Sequence, residues 1–111
     1  MEPVDDALRA ELSELTATLC RALNDPKRLV ILHVLAAGPA SVGRLAELAG
    51  ATVANVSQHL AVLRERGLVD GEREGPNVIY SLRYPELIDT IGALRGILRA
   101  ELGRRQRMLA G

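Results

Sequence analysis

The chain has 111 residues, of which 48% are hydrophobic, with a formal net charge of zero and one cysteine. This length fits one domain, and the apolar content supports a core, which excludes a wholly disordered chain. No apolar run approaches the roughly 18 residues of a membrane span, the acidic N-terminus is unlike a signal peptide, and one thiol excludes an intrachain disulfide framework. We therefore expect a single cytoplasmic domain over residues 1–111 with no membrane partner.

The N-terminal segment predicts a helix over about residues 4–23. Leucines recur there with spacings of four, three, four and four residues, the spacing of one apolar stripe on a helix face. The leucines of this predicted stripe are Leu8, Leu12, Leu15, Leu19 and Leu23.

Capping residues predict the next two helices. Asp25 can N-cap a helix over about residues 26–37, which has proline at its first position. Ser41 can cap a short helix over residues 42–49, and Gly50 can end it.

A fourth helix is predicted over about residues 53–66, with Thr52 as its N-cap and Gly67 as its stop. The face opposite its apolar stripe begins with small and hydrogen-bonding side chains, which suits the approach of a helix to base edges in a major groove. A short step containing a glycine joins it to the third helix, as is common in a helix-turn-helix. The apolar stripe consists of Val53, Val56, Leu60 and Leu63.

Two short strands, over residues 69–74 and 78–83, flank a turn at Gly75-Pro76-Asn77 and predict a β-hairpin. A last helix follows over about residues 86–107. The fold expected is mainly α with a β-hairpin wing: a winged helix-turn-helix of five helices, in the order α-α-α-α-β-β-α. Its first and last helices carry more leucine than such a core needs, so we expect them to form a dimer interface. The expected interface residues are Leu8, Leu12, Leu15, Leu19, Ile91, Leu94 and Leu98.

Several motifs occur together within about residues 20–85. They are LNDPKRLVIL at 23–32, VSQHL at 56–60, LRERGLV at 63–69, and Arg73-Glu74-Gly75 followed by Tyr80. In this order they resemble the ArsR/SmtB family of winged-helix repressors. The resemblance implies a homodimeric bacterial transcription regulator whose binding to an operator is switched by a ligand.

The expected DNA contacts lie on the fourth helix and the wing. Asn and Gln side chains can pair bidentately with adenine, and Ser can donate or accept. A solvated polar face is the alternative, and it would make the chain a protein-interaction winged helix that does not bind DNA. The expected base-facing residues are Ala54, Asn55, Ser57 and Gln58, and the expected contacts to the DNA backbone or minor groove are Thr52, Arg64, Arg73 and Asn77.

The two metal sites that the resemblance implies are not matched. Ser41 stands where the thiolate site of the third helix has its first cysteine, and Gly43 stands at the second. Of the ligands that two last helices share, only Asp89 is present. A site of nitrogen and oxygen ligands remains an alternative, and it would suit nickel, zinc or cobalt.

Three side chains bear on the effector. His33 is the candidate ligand of a non-standard metal site, and the structural alternative is a core histidine. His59 is expected to be a structural histidine near the helix–helix joint. Cys20 cannot form a two-cysteine redox switch, so a buried small hydrophobe is expected. No nucleophile–base grouping indicates an enzyme, and the effector stays open between a small organic molecule, a protein partner and a metal.

Overall fold

The computed structural model of the chain describes residues 2–111. Within them, five helices and a three-stranded sheet confirm the predicted winged helix-turn-helix. None of these helices combines the length and the apolar character needed to span a bilayer. In chain order the elements are α1 over residues 6–23, α2 (Pro26–Leu35), β1 (Ala40–Ser41), α3 (Val42–Ala49), α4 (Val53–Glu65), β2 (Val69–Glu74), β3 (Asn77–Leu82) and α5 (Glu86–Ala110).

Side-chain caps and one glycine position the helix-turn-helix. The hydroxyl of Thr52 accepts a hydrogen bond from the backbone N–H of Asn55 at 3.1 Å and so begins α4 as predicted. Ser41 begins α3 in the same way, through the N–H of Arg44 at 3.2 Å. Gly50 has a φ of 65°, in the left-handed region that favours glycine, and ends α3. The turn between the two helices is therefore fixed by local sequence.

The first helix is interrupted in a way that the sequence did not predict. It is α-helical over Asp6–Leu15, π-helical over Thr16–Cys20 and α-helical again over Arg21–Leu23. A π-helical turn closes its hydrogen bonds one residue later than an α-helical turn, so it changes the direction of the side chains that follow it.

The predicted single leucine stripe of α1 is therefore wrong as one continuous surface. Before the π-helical segment, Leu8, Leu12 and Leu15 are 42–48% exposed. At the end of the π-helical segment and beyond it, Leu19 and Leu23 pack against the core. The C-terminal part of the stripe thus packs within the protomer, and the N-terminal part is exposed.

The core lies between α2, α3, α4 and the start of β2. Val53 is 53% exposed, which corrects its expected place in the α4 stripe: it is the first residue of α4, beyond the packed part of the helix. The largest fully buried side chains are Ile31, Leu32, Leu45, Val56, Leu60, Leu63 and Val69.

The last helix packs on the core only through its first turns, at Leu87, Ile88 and Ile91. It is 25 residues long and ends at Ala110 rather than at the predicted residue 107. A helix of this length spans about 37 Å, so most of it extends away from the core. Its exposed apolar residues include Leu94, Ile97, Leu98 and Leu102.

The wing pairs β2 with β3 in antiparallel register, with Glu74 opposite Asn77 at its tip. Strand β3 begins at Asn77, so this residue belongs to a strand rather than to the predicted turn. The short β1 adds a third strand, with Ala40 opposite Tyr80. A strand of two residues is too short to show the alternation by which strands are recognised in a sequence.

Candidate nucleic-acid interface

The outer face of α4 presents three of the four predicted base-facing residues. Ala54, Ser57 and Gln58 are exposed, whereas Val56 and Leu60 on the opposite face are buried. The exposed side chains are short or hydrogen-bonding, so the helix can approach base edges closely. This face is therefore free to enter a major groove.

Asn55 is placed differently from its predicted neighbours. It is half-buried, and its Oδ1 is buried with no hydrogen-bond partner within residues 2–111. A bidentate contact with adenine needs both the oxygen and the nitrogen of the amide. The contact between Asn55 and a base therefore remains a prediction, and it requires the amide to turn outward.

Two predicted backbone contacts flank this face. Thr52 is exposed, and because its oxygen accepts the capping hydrogen bond, its O–H can still donate to a phosphate. Arg64 is exposed and lies beside Gly71 of β2, so close that a side chain at Gly71 would come within 3.3 Å of its guanidinium. The position of Arg64 links the end of α4 to the wing.

The wing carries the remaining two predicted contacts, Arg73 and Asn77, which are both exposed near its tip. Glu72 and Glu74 flank Arg73 along the same strand and are also exposed. Successive side chains of a strand point to opposite faces, so Arg73 lies on the opposite face from the two carboxylates. A phosphate contact therefore depends on which face of the wing meets DNA.

The ion pair at the base of the wing joins Asp70 and Arg83. Nη2 of Arg83 lies 2.6 Å from Oδ1 of Asp70, and Nε lies 3.0 Å from the same oxygen. The hydrogen bond from Arg83 holds the pKa of Asp70 below its ordinary value, and the same bond raises the pKa of Arg83. The pair fastens β2 to the residue that follows β3.

Arg28 makes contacts that the sequence analysis did not predict, although it belongs to the motif at residues 23–32. Its Nε donates to the carbonyl oxygen of Ala22 at 2.6 Å, and its Nη2 donates to that of Arg21 at 3.2 Å. Its Nη1 lies 3.4 Å from Nδ1 of His59. Arg28 therefore joins the end of α1 to α4, and the contact is consistent with the predicted structural role of His59, which remains a prediction.

Arg66 makes a second connection between the same two helices. It caps the C-terminus of α4, and its Nη1 donates to the carbonyl oxygen of Ala17 at 3.2 Å. Ala17 belongs to the π-helical segment of α1. The fourth helix is thus connected to the first helix at its middle, through His59 and Arg28, and at its C-terminal end, through Arg66.

The expected burial of Cys20 is wrong, and so is the alternative of a core histidine at His33, because both side chains are exposed. The buried face of α2 consists of Ile31, Leu32 and Leu35. His33 lies on the opposite, exposed face of the helix. Within residues 2–111, no group of three or more His, Cys, Asp or Glu side chains could hold a metal ion. The fold of one protomer therefore does not gather ligands around His33.

The chain is similar in sequence to known bacterial regulatory proteins. The family profile described as "Bacterial regulatory protein, arsR family" matches residues 25–70. The HTH-type transcriptional regulator YgaV of Escherichia coli (strain K12) is 35% identical over 86 residues, which are 77% of this chain and 87% of that protein.

Two solved structures have the same fold. The crystal structure of Mycobacterium tuberculosis Rv0081 matches with a TM-score of 0.75 and 35% identity, over 85% of this chain and 95% of that chain. The solution structure of the homodimeric winged helix-turn-helix DNA-binding domain of Mb0332 from Mycobacterium bovis matches with a TM-score of 0.75 and 27% identity, over 94% and 95% of the two chains. With the capped helix-turn-helix and the wing, these similarities show that the chain belongs to the arsR family of bacterial regulatory proteins.

Proposed function

We propose that this protein regulates transcription by binding a double-stranded DNA operator as a homodimer. The observation that carries the proposal is the free outer face of α4, where Ala54, Ser57 and Gln58 lie exposed on a helix that Thr52 caps. The related protein YgaV is named a transcriptional regulator, which supports the same function here. We propose no catalytic role, and the site of action is the cytoplasm because the operator lies there.

In this proposal each side chain has a role that follows from its placement. Ser57 and Gln58 contact base edges, and Asn55 joins them when its amide turns outward. The remaining predicted contacts position the dimer on the duplex through phosphates or the minor groove. These positioning residues are Thr52, Arg64, Arg73 and Asn77.

The dimer is proposed to form through α1 and α5. Leu8, Leu12 and Leu15 of α1 are uncovered in the protomer, as are Leu94 and Leu98 of α5. The likeness to the homodimeric Mb0332 domain supports this assembly. A two-fold dimer would present its two α4 helices to half-sites about one helical turn, roughly 10 bp, apart.

We propose that Leu19 and Ile91 contribute less to this interface than the other predicted leucines do. Both are half-buried and pack against the core of their own protomer.

The effector that switches the regulator is proposed to belong to one of the three classes that the sequence analysis left open. These are a small organic molecule, a protein partner and a metal bound through nitrogen and oxygen ligands.

The test is operator affinity by fluorescence anisotropy, with the DNA upstream of the protein's own gene. Gln58→Ala should weaken binding by about 1–3 kcal/mol, because a bidentate base contact contributes that much discrimination. Gln106→Ala is the matched control, since Gln106 is exposed on α5, away from α4. Unchanged affinity in Gln58→Ala, with the fold intact, would contradict the assigned DNA face. A parent protein that does not distinguish this DNA from random DNA would favour the protein-interaction module.

A further inference from the structure

A groove of about 450 Å³ lies beside the helix that faces DNA, between the first turns of α2 and α4. This volume is within the range of about 300–1,000 Å³ typical of small-molecule pockets. The side chains used in the argument below are Lys27, Val30, Ile31, Thr52, Asn55 and Val56.

The groove combines an apolar floor with one cationic residue in its lining. Ile31 and Val56 are each 1% exposed and form part of its walls. Lys27, the only lysine in the sequence, and Thr52, which carries a hydroxyl group, also line the groove. None of the lining residues in the described part of the chain is acidic. An apolar body with one anionic group matches this lining, whereas a DNA phosphate would leave the apolar floor without a contact.

Asn55 adds a second requirement. It lines the groove, and its buried Oδ1 has no hydrogen-bond partner within residues 2–111. A buried carbonyl without a partner is unfavourable. A ligand that carries an O–H or N–H group would supply the missing donor when the amide turns toward the groove.

We propose that this groove binds a small organic acid that carries a hydrogen-bond donor, and that the bound acid weakens operator binding. The inference rests on the proposed function, because it takes α4 as the DNA-reading helix. A bound acid would hold Asn55 away from the bases and place a negative charge beside Thr52, where a DNA phosphate is expected. Coupling is reciprocal, so the operator weakens binding of the acid by the same factor.

The probe is 4-hydroxyphenylacetate, which has a carboxylate, a flat apolar ring and one O–H donor. Two analogues remove one feature each: its methyl ester removes the charge, and 4-methoxyphenylacetate removes the donor. Calorimetry on the intact protein measures affinity. Reductive methylation with ¹³C marks Lys27 as the single lysine signal, so the NMR shift of that signal reports binding at the groove.

The variants separate the groove from the DNA face. Val30→Phe should fill the groove and abolish probe binding, and its exposed position, 43% accessible, allows the larger side chain. Leu48→Phe is the matched control, because Leu48 is similarly exposed at 49% but does not line the groove. Lys27→Gln should weaken probe binding by about tenfold or more, the size expected for a hydrogen bond to a charged group. Lys27→Arg should retain most of the affinity.

The expected result is saturable binding of the probe, a shift of the Lys27 signal, about tenfold weaker binding of each analogue, and lower operator affinity with the probe present. An unmoved Lys27 signal, or parental probe affinity in Val30→Phe, would overturn the inference. It would also be overturned if the probe fails to bind and Lys27→Gln instead lowers the salt dependence of operator binding, because the groove would then hold DNA backbone. Operator binding without the probe tests the proposed function separately.

Discussion

The α3–α4 unit and the α1–α5 pair use the same apolar residues in opposite ways. In α3 and α4 the leucines at positions 45, 60 and 63 are completely buried within one protomer. In α1 and α5, Leu12 is 48% exposed and Leu98 is 54% exposed. Both regions have leucines at helical spacing, so the pattern alone does not distinguish them.

The difference shows that α3 and α4 bury their apolar side chains within one protomer, whereas α1 and α5 leave part of theirs uncovered. Exposed contiguous apolar surface typically marks an interaction site. The two regions are nevertheless connected, because Arg28 and Arg66 both donate to carbonyl groups of α1. A second subunit covering α1 can therefore bear on the orientation of α4.

The largest expected effect comes from placing a charge on the uncovered surface. Leu98→Glu should raise the dissociation constant of the dimer by about 100-fold or more, since each buried leucine contributes about 1.5–3 kcal/mol and a two-fold interface contains it twice. Sedimentation equilibrium measures this constant. Leu48→Glu is the control, because Leu48 is similarly exposed but lies on α3. A fully dimeric Leu98→Glu would show that another surface joins the subunits.

A pair of identical substitutions sharpens the contrast between the two regions. Leu63→Ala should lower the free energy of unfolding by about 2–5 kcal/mol, because it opens a cavity in the protomer core. Leu12→Ala should have an effect that is largest at high protein concentration and shrinks as the protein is diluted through the dimer dissociation range, because dimerisation stabilises the fold by mass action. Thermal unfolding at several protein concentrations separates the two. If the loss of stability relative to the parent depended on protein concentration equally in both variants, Leu63 and Leu12 would not have the separate roles of core residue and dimer residue.

The sequence predicted the parts of the fold that depend on near neighbours. Thr52 and Ser41 cap their helices through residues three positions away, and Gly50 ends α3 by its own conformation. The exposed positions of Ser57 and Gln58 follow from helical spacing. These features carry their signal in a few adjacent residues, so no tertiary structure is needed to recognise them.

What the sequence could not predict depends on distant contacts. Arg66 reaches Ala17 across 49 positions, and Arg28 reaches His59 across 31. The π-helical segment Thr16–Cys20 has no compositional signal, because it changes the backbone hydrogen bonds and not the apolar spacing. The inward Asn55 amide depends on how α2 packs against α4. Each of these is a consequence of packing.

The third effect tests the connection between the two regions. Arg28→Gln should lower the free energy of unfolding by about 1.5–3 kcal/mol, because it removes charged hydrogen bonds and leaves carbonyl groups of α1 without their partner. Operator affinity should also fall, since α4 loses its contact through His59. Arg21→Gln, on an exposed neighbouring side chain, is the control. Reduced stability with unchanged operator affinity would show that Arg28 does not position α4.

The smallest effect should be found in the wing, where an exposed ion pair replaces apolar packing. The hydrogen bond from Arg83 lowers the pKa of Asp70 in the folded protein, so the pair stabilises the fold above the unfolded pKa of about 3.9. This contribution is lost as the pH falls through the lower pKa of the folded state. Arg83→Gln should therefore have a slightly lower melting temperature than the parent at pH 7, and the difference should shrink below about pH 4.

The effect should remain small because both side chains are exposed, at 44% for Arg83 and 49% for Asp70, so water and salt screen the pair. Arg104→Gln on α5 is the matched control: Arg104 pairs with Glu101 and lowers the pKa of that carboxylate in the same way. Both variants should show the same trend with pH, and 1 M salt should reduce both differences. A difference for Arg83→Gln that persists at low pH and high salt would mean that the uncharged part of the Arg83 side chain, rather than its charge, stabilises the hairpin.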